Sequence, residues 1–135
     1  MIKTTEDTEV TEMEKDKLTE KVIGCAIEVH KNLGPGLLES TYENCLAHEL
    51  FLNNVSFQKQ LAMPVSYKNI NLDCGYRLDF LIENKLIIEL KSVKAMTSID
   101  EAQLLTYMRL AKINTGLLIN FNVLRLIDGV KRFKI

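Results

Sequence analysis

The sequence lacks the features of several protein classes. Only six of its 135 residues are glycine and two are proline, and 47% are hydrophobic and 26% charged. This composition excludes a collagen, a coiled-coil rod and a largely disordered chain. No apolar run approaches the ~18 residues of a membrane span. The first residues, MIKTTEDTEV, are acidic and polar, so no signal peptide is expected and a cytoplasmic location is the default.

Cysteine and histidine are also scarce. The three cysteines, Cys25, Cys45 and Cys74, are an odd number with no Cys-x-x-Cys spacing, so we interpret them as small buried apolar residues. His30 and His48 have no partner at ligand spacing, which argues against zinc and favours surface positions on helices. There is no G-x-x-x-x-G-K-[ST] motif, so no P-loop nucleotide site is indicated.

The length matches one domain that can bury a core without disulfides or metal. Residues 1–12 are predicted to be a disordered acidic leader, which leaves residues 13–135 as the domain. Residues 1–20 carry seven acids and three lysines, whereas residues 85–135 carry nine bases and four acids. The basic part is able to attract a polyanion, although charge alone favours an ordinary solvated surface.

Hydrophobic spacing predicts the secondary structure. Apolar residues recur at helical intervals in residues 13–33, 38–52 and 100–112, the last segment with Ser98 as its N-cap. Strands are predicted at residues 55–59, 65–67, 72–82, 85–93 and 117–119, with a turn at 68–71 and a closing hairpin of 123–127 and 130–133 around Asp128-Gly129. This order predicts an α/β or α+β domain in which helices cover a sheet.

One carboxylate stands inside an apolar strand. Glu89 follows Leu86-Ile87-Ile88 and precedes Leu90, where an unpaired charge is costly. If Glu83-Asn84-Lys85 forms the preceding loop, Ile82 pairs with Leu86 and Asp79 falls opposite Glu89. The burial pattern favours this register. Directly opposed carboxylates repel each other unless something neutralises them.

Two explanations of this pair are open. A divalent cation such as Mg²⁺, which prefers oxygen ligands, would neutralise Asp79 and Glu89, polarise a phosphate and activate a water. Lys91 would then orient the water or stabilise the developing charge. Alternatively, the residues form a salt-bridge cluster in which Asp79 pairs with Arg77 or Lys91, and Glu89 with the other cation.

Three more polar residues have both a functional and a simpler interpretation. Glu39 lies early in the second predicted helix, where an acid also interacts favourably with the helix dipole. Gln103 and Tyr107 are four residues apart and share a helix face, which is also typical of a surface stripe.

Together these residues resemble the GxxExxY protein family, a branch of the PD-(D/E)xK nuclease superfamily. The resemblance covers about residues 15–135 and depends on motifs in a fixed order. These are Gly36-Leu37-Leu38-Glu39-Ser40-Thr41-Tyr42, Tyr76-Arg77-Leu78-Asp79, Ile88-Glu89-Leu90-Lys91, Glu101-Ala102-Gln103-Leu104-Leu105-Thr106-Tyr107, and Gly116-Leu117-Leu118-Ile119-Asn120-Phe121 with the Lys131-Arg132 ending. Relatives often carry a histidine where this chain has Asp100.

The resemblance implies a core of α-β-β-β-α-β order, with a mixed sheet flanked by helices. It also implies that Asp79, Glu89 and the Leu90 carbonyl bind Mg²⁺ or Mn²⁺, that Glu39 completes the metal shell, and that Lys91 is the catalytic lysine. The auxiliary or substrate positions are Gln103, Tyr107, Tyr42 and Arg77. The implied reaction is hydrolysis of phosphodiester bonds in DNA or structured nucleic acid.

Other functions fit the same sequence. A non-catalytic module on this scaffold would bind nucleic acid or a protein without needing a metal. A homodimer is a further alternative, because nucleases that cut both strands often pair their sites. The apolar candidates for either a core or an interface are Phe51, Leu52, Phe57 and Phe133.

Overall fold

In the computed structural model, the backbone of residues 5–135 and the side chains of residues 17–135 are described. The helices are α1 (Thr5–Leu33), α2 (Glu39–Leu52) and α3 (Ser98–Ala111). The strands are β1 (Phe57–Ala62), β2 (Val65–Tyr67), β3 (Ile70–Leu72), β4 (Arg77–Ile82), β5 (Leu86–Lys91), β6 (Thr115–Asn120) and β7 (Val130–Lys134), with a 3₁₀ helix at Leu126–Gly129. Helix α1 begins before Met13, the predicted start. The acidic leader falls in the part whose side chains lie outside the described residues, so its disorder stays a prediction.

Five strands form the central sheet in the order β1-β4-β5-β6-β7. Strands β5 and β6 are parallel and the other neighbours are antiparallel, so the sheet is mixed. A parallel pair needs a long crossover, and α3 supplies it between β5 and β6. The predicted mixed sheet flanked by helices is confirmed.

Two apolar clusters cover the two faces of the sheet. The first joins α1 and α2 to the sheet and includes Leu46 and Phe80. The second lies beneath α3 and includes Leu104 and Leu118. All six residues of β6 are buried, as expected for a strand covered on both faces. In the described part of the chain, no helix has both the length and the apolar composition needed to cross a membrane.

The predicted strand over residues 72–82 is wrong in its first part. Strand β3 ends at Leu72 and pairs only with β2, while β4 begins at Arg77. Between them, Asp73 Oδ1 accepts a hydrogen bond from the Gly75 N–H, and Gly75 has a φ of 77°. This local turn ends the strand, because a side-chain acceptor and a left-handed residue replace regular pairing.

The predicted closing hairpin is also wrong. Strand β7 pairs with β6, and the segment between them contains the 3₁₀ helix instead of a strand. Gly129 packs directly on the main chain, since a Cβ at this position would lie 2.2 Å from the Asn120 carbonyl oxygen. Leu126, one of the apolar residues of the predicted strand, is buried, but in the 3₁₀ turn.

Three smaller expectations need correction. The N-cap of α3 is Thr97 rather than Ser98. His30 is buried, and its Nε2 lies 2.8 Å from the Val123 carbonyl oxygen. Cys25 is buried and Cys45 packs partly against the first cluster, as predicted, but Cys74 is exposed.

Candidate active site

The β4–β5 hairpin has the predicted register. Ile82 pairs with Leu86, and the pairing continues to Phe80 and Ile88, which leaves Asp79 and Glu89 opposite each other on the next rung. Regular pairing between the two strands ends before that rung. The three-residue loop and the register that it sets therefore place the two carboxylates where regular pairing ends.

Hydrogen bonds from main chain to side chain replace the ladder at this point. The Asp79 N–H donates to Glu89 Oε1 over 3.1 Å, and the Leu90 N–H donates to Asp79 Oδ2 over 2.8 Å. The N–H and C=O of one strand residue leave the strand at the same edge, so the Leu90 carbonyl also faces the opening. The two carboxylates and this carbonyl thus share one gap between β4 and β5.

The carboxylates crowd one another electrostatically. Glu89 is only 6% exposed, and burial followed by the charge of Asp79 raises the pKa of Glu89 to about 9. Glu39 is the first residue of α2, and burial followed by the charge of Asp79 raises the pKa of Glu39. Burial is the larger cause of both shifts, and the neighbouring charge of Asp79 adds to it.

The structure does not form the salt-bridge cluster. No ion pair within the described residues joins Asp79 or Glu89 to Arg77 or Lys91. The Lys91 Nζ lies instead 3.8 Å from Asp100 Oδ1. Lys91 shares a strand face with Glu89, so its ammonium group extends beside the carboxylate gap.

Asp100 is held in place by the start of α3. Its carboxylate accepts hydrogen bonds from the N–H and hydroxyl of Thr97, and the Thr97 side chain accepts from the Asp100 N–H. These bonds form a capping box. The backbone hydrogen bond from Thr97 lowers the pKa of Asp100, so the group stays charged beside Lys91.

Glu39 is positioned by the loop that precedes α2. Gly34 and Gly36 have φ values of 73° and 94°, which glycine adopts without steric cost. The Tyr42 hydroxyl donates to the Gly34 carbonyl over 2.6 Å and accepts from the Leu37 N–H over 3.1 Å. Tyr42 therefore closes the loop from within the helix and sets the direction in which Glu39 leaves it.

A second hydrogen bond ties this loop to the sheet. The Ser92 hydroxyl, one residue beyond β5, donates to the Leu37 carbonyl over 2.7 Å. Tyr42 is fully buried and stacks on Phe121 with ring centroids 4.5 Å apart. Because its hydroxyl is engaged and its ring is in the core, Tyr42 positions the site and has no free face for a substrate.

The other auxiliary positions differ in how far they are buried. Tyr107 is 8% exposed, and burial followed by the charge of Glu89 raises the pKa of Tyr107. Its ring centroid lies 6.2 Å from that of Tyr76, which is 46% exposed. Gln103 is exposed on α3 one turn before Tyr107, and Arg77 is exposed at the start of β4.

The sequence analysis missed Gln60, which contacts Asp79, and Glu43, which contacts Gln60. Gln60 of β1 donates from Nε2 to Asp79 Oδ1 over 3.1 Å and to Glu43 Oε1. An exposed glutamine on a strand and a glutamate on a helix carry no sequence signal of function. Only the antiparallel pairing of β1 with β4 and the packing of α2 bring them to Asp79.

Asn120 supports the same end of the sheet. It is buried, and its side chain accepts from the Val93 and Asn122 N–H groups and donates to the Val93 carbonyl. The Phe121 N–H donates to the Lys91 carbonyl over 2.9 Å. These bonds join the ends of β5 and β6 and hold the main chain at Lys91 in place.

The donor set fits a cation with few protein ligands. Among the residues that the structure describes, no group of three or more His, Cys, Asp or Glu side chains could hold a metal ion. Two carboxylates and one carbonyl oxygen remain, and Mg²⁺ commonly takes one or two carboxylates with water and phosphate oxygens. Burial and then the charge of Asp79 raise the pKa of Glu89, and a cation bound between the two carboxylates would offset both effects.

The basic C-terminal part is partly neutralised. Of the nine bases in residues 85–135, Lys91, Arg125 and Lys131 pair with Asp100, Asp128 and Glu101. These are three of the four acids in the segment, and the fourth is Glu89. An excess of positive charge remains on the part of the chain that includes Lys91.

A sequence model of the PD-(D/E)XK nuclease superfamily matches residues 16–133. Proteins of this superfamily generally use divalent metal ions. The match confirms the predicted superfamily, whereas the narrower resemblance to the GxxExxY family stays a prediction. No curated protein sequence and no solved structure matches the chain.

Proposed function

The chain belongs to the PD-(D/E)XK nuclease superfamily, and from this premise we propose that it is a metal-dependent nuclease. Its reaction is the hydrolysis of phosphodiester bonds in DNA or structured nucleic acid. Asp79, Glu89 and the Leu90 carbonyl bind Mg²⁺ or Mn²⁺, and Lys91 is the catalytic lysine. Glu39 completes the metal shell, although within the described residues it does not form a ready three-carboxylate group with Asp79 and Glu89.

The supporting observation is the rung at which β4 and β5 part. There Asp79 and Glu89 each accept a main-chain N–H from the opposite strand, so both carboxylates are oriented before any ligand arrives. A purely structural strand pair has no reason to place two acids opposite each other in a buried sheet. A site that must attract a cation does.

Lys91 and the neighbouring residues supply the remaining functions. The Lys91 ammonium stabilises negative charge that develops on the phosphate, or orients the attacking water, from the face that it shares with Glu89. A bound Mg²⁺ or Mn²⁺ contributes polarisation of a phosphate oxygen and activation of a water. Gln103 and Arg77, which are both exposed, contact the nucleic acid backbone.

The proposal is tested first by calorimetric titration of Mn²⁺ and Mg²⁺ into the wild-type chain, Asp79→Asn and Glu89→Gln. Both variants should lose metal binding and remain folded, because each removes an anionic ligand and also relieves like-charge repulsion. Glu83→Gln is the matched control, since Glu83 is an exposed acid in the loop at the other end of the same hairpin. It should bind metal as the wild type does.

Cleavage assays then identify the substrate. Double-stranded DNA, single-stranded DNA and structured RNA are incubated with the wild type and both variants, with Mg²⁺ or with EDTA. Cleavage that needs metal and is lost in Asp79→Asn and Glu89→Gln supports the proposal. Salt-sensitive binding that EDTA does not change, with no cleavage of any substrate, supports a non-catalytic binding module instead.

Dimerisation and location belong to the same proposal. A homodimer would bring two sites to the two strands of a duplex. Phe51 and Leu52 are 70% and 57% exposed at the end of α2, whereas Phe57 and Phe133 pack against the two core clusters. Phe51 and Leu52 are therefore the residues to mutate if light scattering detects a dimer. The location that we propose for the protein is the cytoplasm.

A further inference from the structure

Gln60 occupies an irregular position in β1, next to the candidate site. The pairs Lys59–Phe80 and Leu61–Leu78 flank it, so Gln60 lies across from Asp79. Its φ is 54°, in the left-handed region that a glutamine on a strand rarely adopts. Such conformations persist where the surrounding structure imposes them.

At the rung of Gln60 and Asp79, the side chains of β1 and β4 switch from one face of the sheet to the other. Phe57 and Phe80 pack in the cluster beneath α1 and α2, whereas Leu61 and Leu78 pack in the cluster beneath α3. Regular alternation would keep Phe57 and Leu61 on one face, because they are four residues apart. The left-handed turn at Gln60 is thus matched by a reversal in β4, and the pairing continues in register on either side.

The reversal leaves the Gln60 side chain between two carboxylates. Its Nε2 donates to Asp79 Oδ1 over 3.1 Å and also to Glu43 Oε1 of α2. An amide nitrogen has two protons, so both are used. Asp79 Oδ2 accepts from the Leu90 N–H, and therefore donors on two neighbouring strands hold the two oxygens of Asp79.

We propose that Gln60 is a positioning residue for Asp79 and that Glu43 holds Gln60 in that role. A neutral donor orients the Asp79 carboxylate without cancelling the charge that a cation needs. The same amide separates Asp79 from Glu43, which would otherwise repel it directly. The inference depends on the proposed function, since the carboxylate that Gln60 positions is the proposed metal ligand.

The first test is Mn²⁺ titration of the full chain. Gln60→Met keeps the length and removes the N–H donors, and Gln60→Gly also relieves the left-handed strain, so at least one variant should fold. We expect each to weaken Mn²⁺ binding about tenfold or more, the range found when a ligand loses its hydrogen-bonding partner. Gln58→Met, two residues earlier on β1, is the control and should bind as the wild type does.

Glu43 provides the second pair of variants. Glu43→Gln keeps an oxygen that accepts from Gln60 and should bind Mn²⁺ close to the wild type. Glu43→Ala removes that acceptor and should weaken binding in the same direction as Gln60→Met. Equal affinity of the wild type, Gln60→Met and Gln60→Gly would overturn the inference, even if Mn²⁺ binding itself supports the proposed function.

A metal-free measurement separates the two proposals. The side-chain amide signals of Gln60 in a ¹H–¹⁵N correlation spectrum are assigned by their loss in Gln60→Met. Asp79→Asn replaces a charged acceptor by a neutral one, and should therefore shift the Gln60 signals while those of Gln58 stay in place. Unshifted Gln60 signals overturn the inference. Shifted signals in a chain that binds no Mn²⁺ support the contact and count against the proposed function alone.

Discussion

Lys91 and Asp100 are linked across the sheet and helix: the Lys91 Nζ lies 3.8 Å from Asp100 Oδ1, at the first turn of α3. Asp100 is itself fixed by the capping box with Thr97. The crossover helix thus holds the proposed catalytic lysine from its N-terminal end. This link makes the position of the lysine depend on how α3 begins.

Replacing Lys91 separates catalysis from metal binding. We expect Lys91→Ala to lower the cleavage rate by about 10²–10³-fold, the usual loss when a group that stabilises developing charge is removed. Mn²⁺ affinity should change little, because Lys91 is not among the proposed ligands. Single-turnover cleavage and calorimetry on the same preparation measure both, with Lys94→Ala, an exposed neighbour, as the control. Unchanged cleavage in Lys91→Ala would remove the lysine from the mechanism.

The raised pKa of Glu89 predicts how the free energy of unfolding depends on pH. Its pKa rises from the ordinary 4.5 to about 9 on folding, so between these values the native state holds a proton that the unfolded state has lost. Stability should therefore fall as pH rises through this window. Glu89→Gln removes the effect, and without divalent metal it should be more stable than the wild type at pH 8 by about 3–5 kcal/mol.

Urea unfolding at pH 5 and pH 8 in the presence of EDTA measures this difference. Near pH 5 the wild-type Glu89 is protonated in the folded state, so the gap between the two proteins should nearly close. Parallel pH curves for the wild type and Glu89→Gln would contradict the assignment of the raised pKa to Glu89.

The Tyr42 hydroxyl should matter for stability more than its size suggests. Tyr42→Phe leaves the Gly34 carbonyl and the Leu37 N–H without their partner, at a cost of about 1–3 kcal/mol. Urea unfolding checks this, with the exposed Tyr67→Phe as a control that should stay within about 0.5 kcal/mol. Mn²⁺ binding should also weaken if the loop sets the direction of Glu39. Equal losses in the two variants would show that the loop does not depend on this hydroxyl.

Two adjacent hydroxyl residues at the start of α3, Thr97 and Ser98, should differ in how much they stabilise the protein. Thr97→Ala removes the side chain that caps the helix and should destabilise the protein by about 1 kcal/mol. Ser98→Ala changes the first helical residue and should alter the free energy of unfolding by no more than about 0.5 kcal/mol. Thermal unfolding at one pH compares the two. A larger effect at Ser98 would restore the cap predicted from the sequence.

The local sequence determined the main parts of the site. The three-residue loop before Leu86 sets Asp79 opposite Glu89, because the length of the loop fixes the register of a hairpin. Lys91 lies on the same face as Glu89 because the two residues are two positions apart on one strand. Helix periodicity similarly placed Glu39 at the start of α2 and Tyr107 on α3.

Contacts between distant segments decided the rest. Gln60 reaches Asp79 through the pairing of β1 with β4 and through its left-handed φ. Neither feature can be recognised in the sequence of this strand, where Gln60 is one of several polar residues. The Tyr42 hydroxyl closes a loop that the glycine motif alone does not describe. Asp100 rather than Glu89 pairs with Lys91, since burial and register set the separations of charges. Sequence periodicity specifies which face a side chain takes along a regular strand or helix, but it does not reveal the change of face at Gln60 and Asp79. The partner of each side chain likewise depends on how the elements pack in three dimensions.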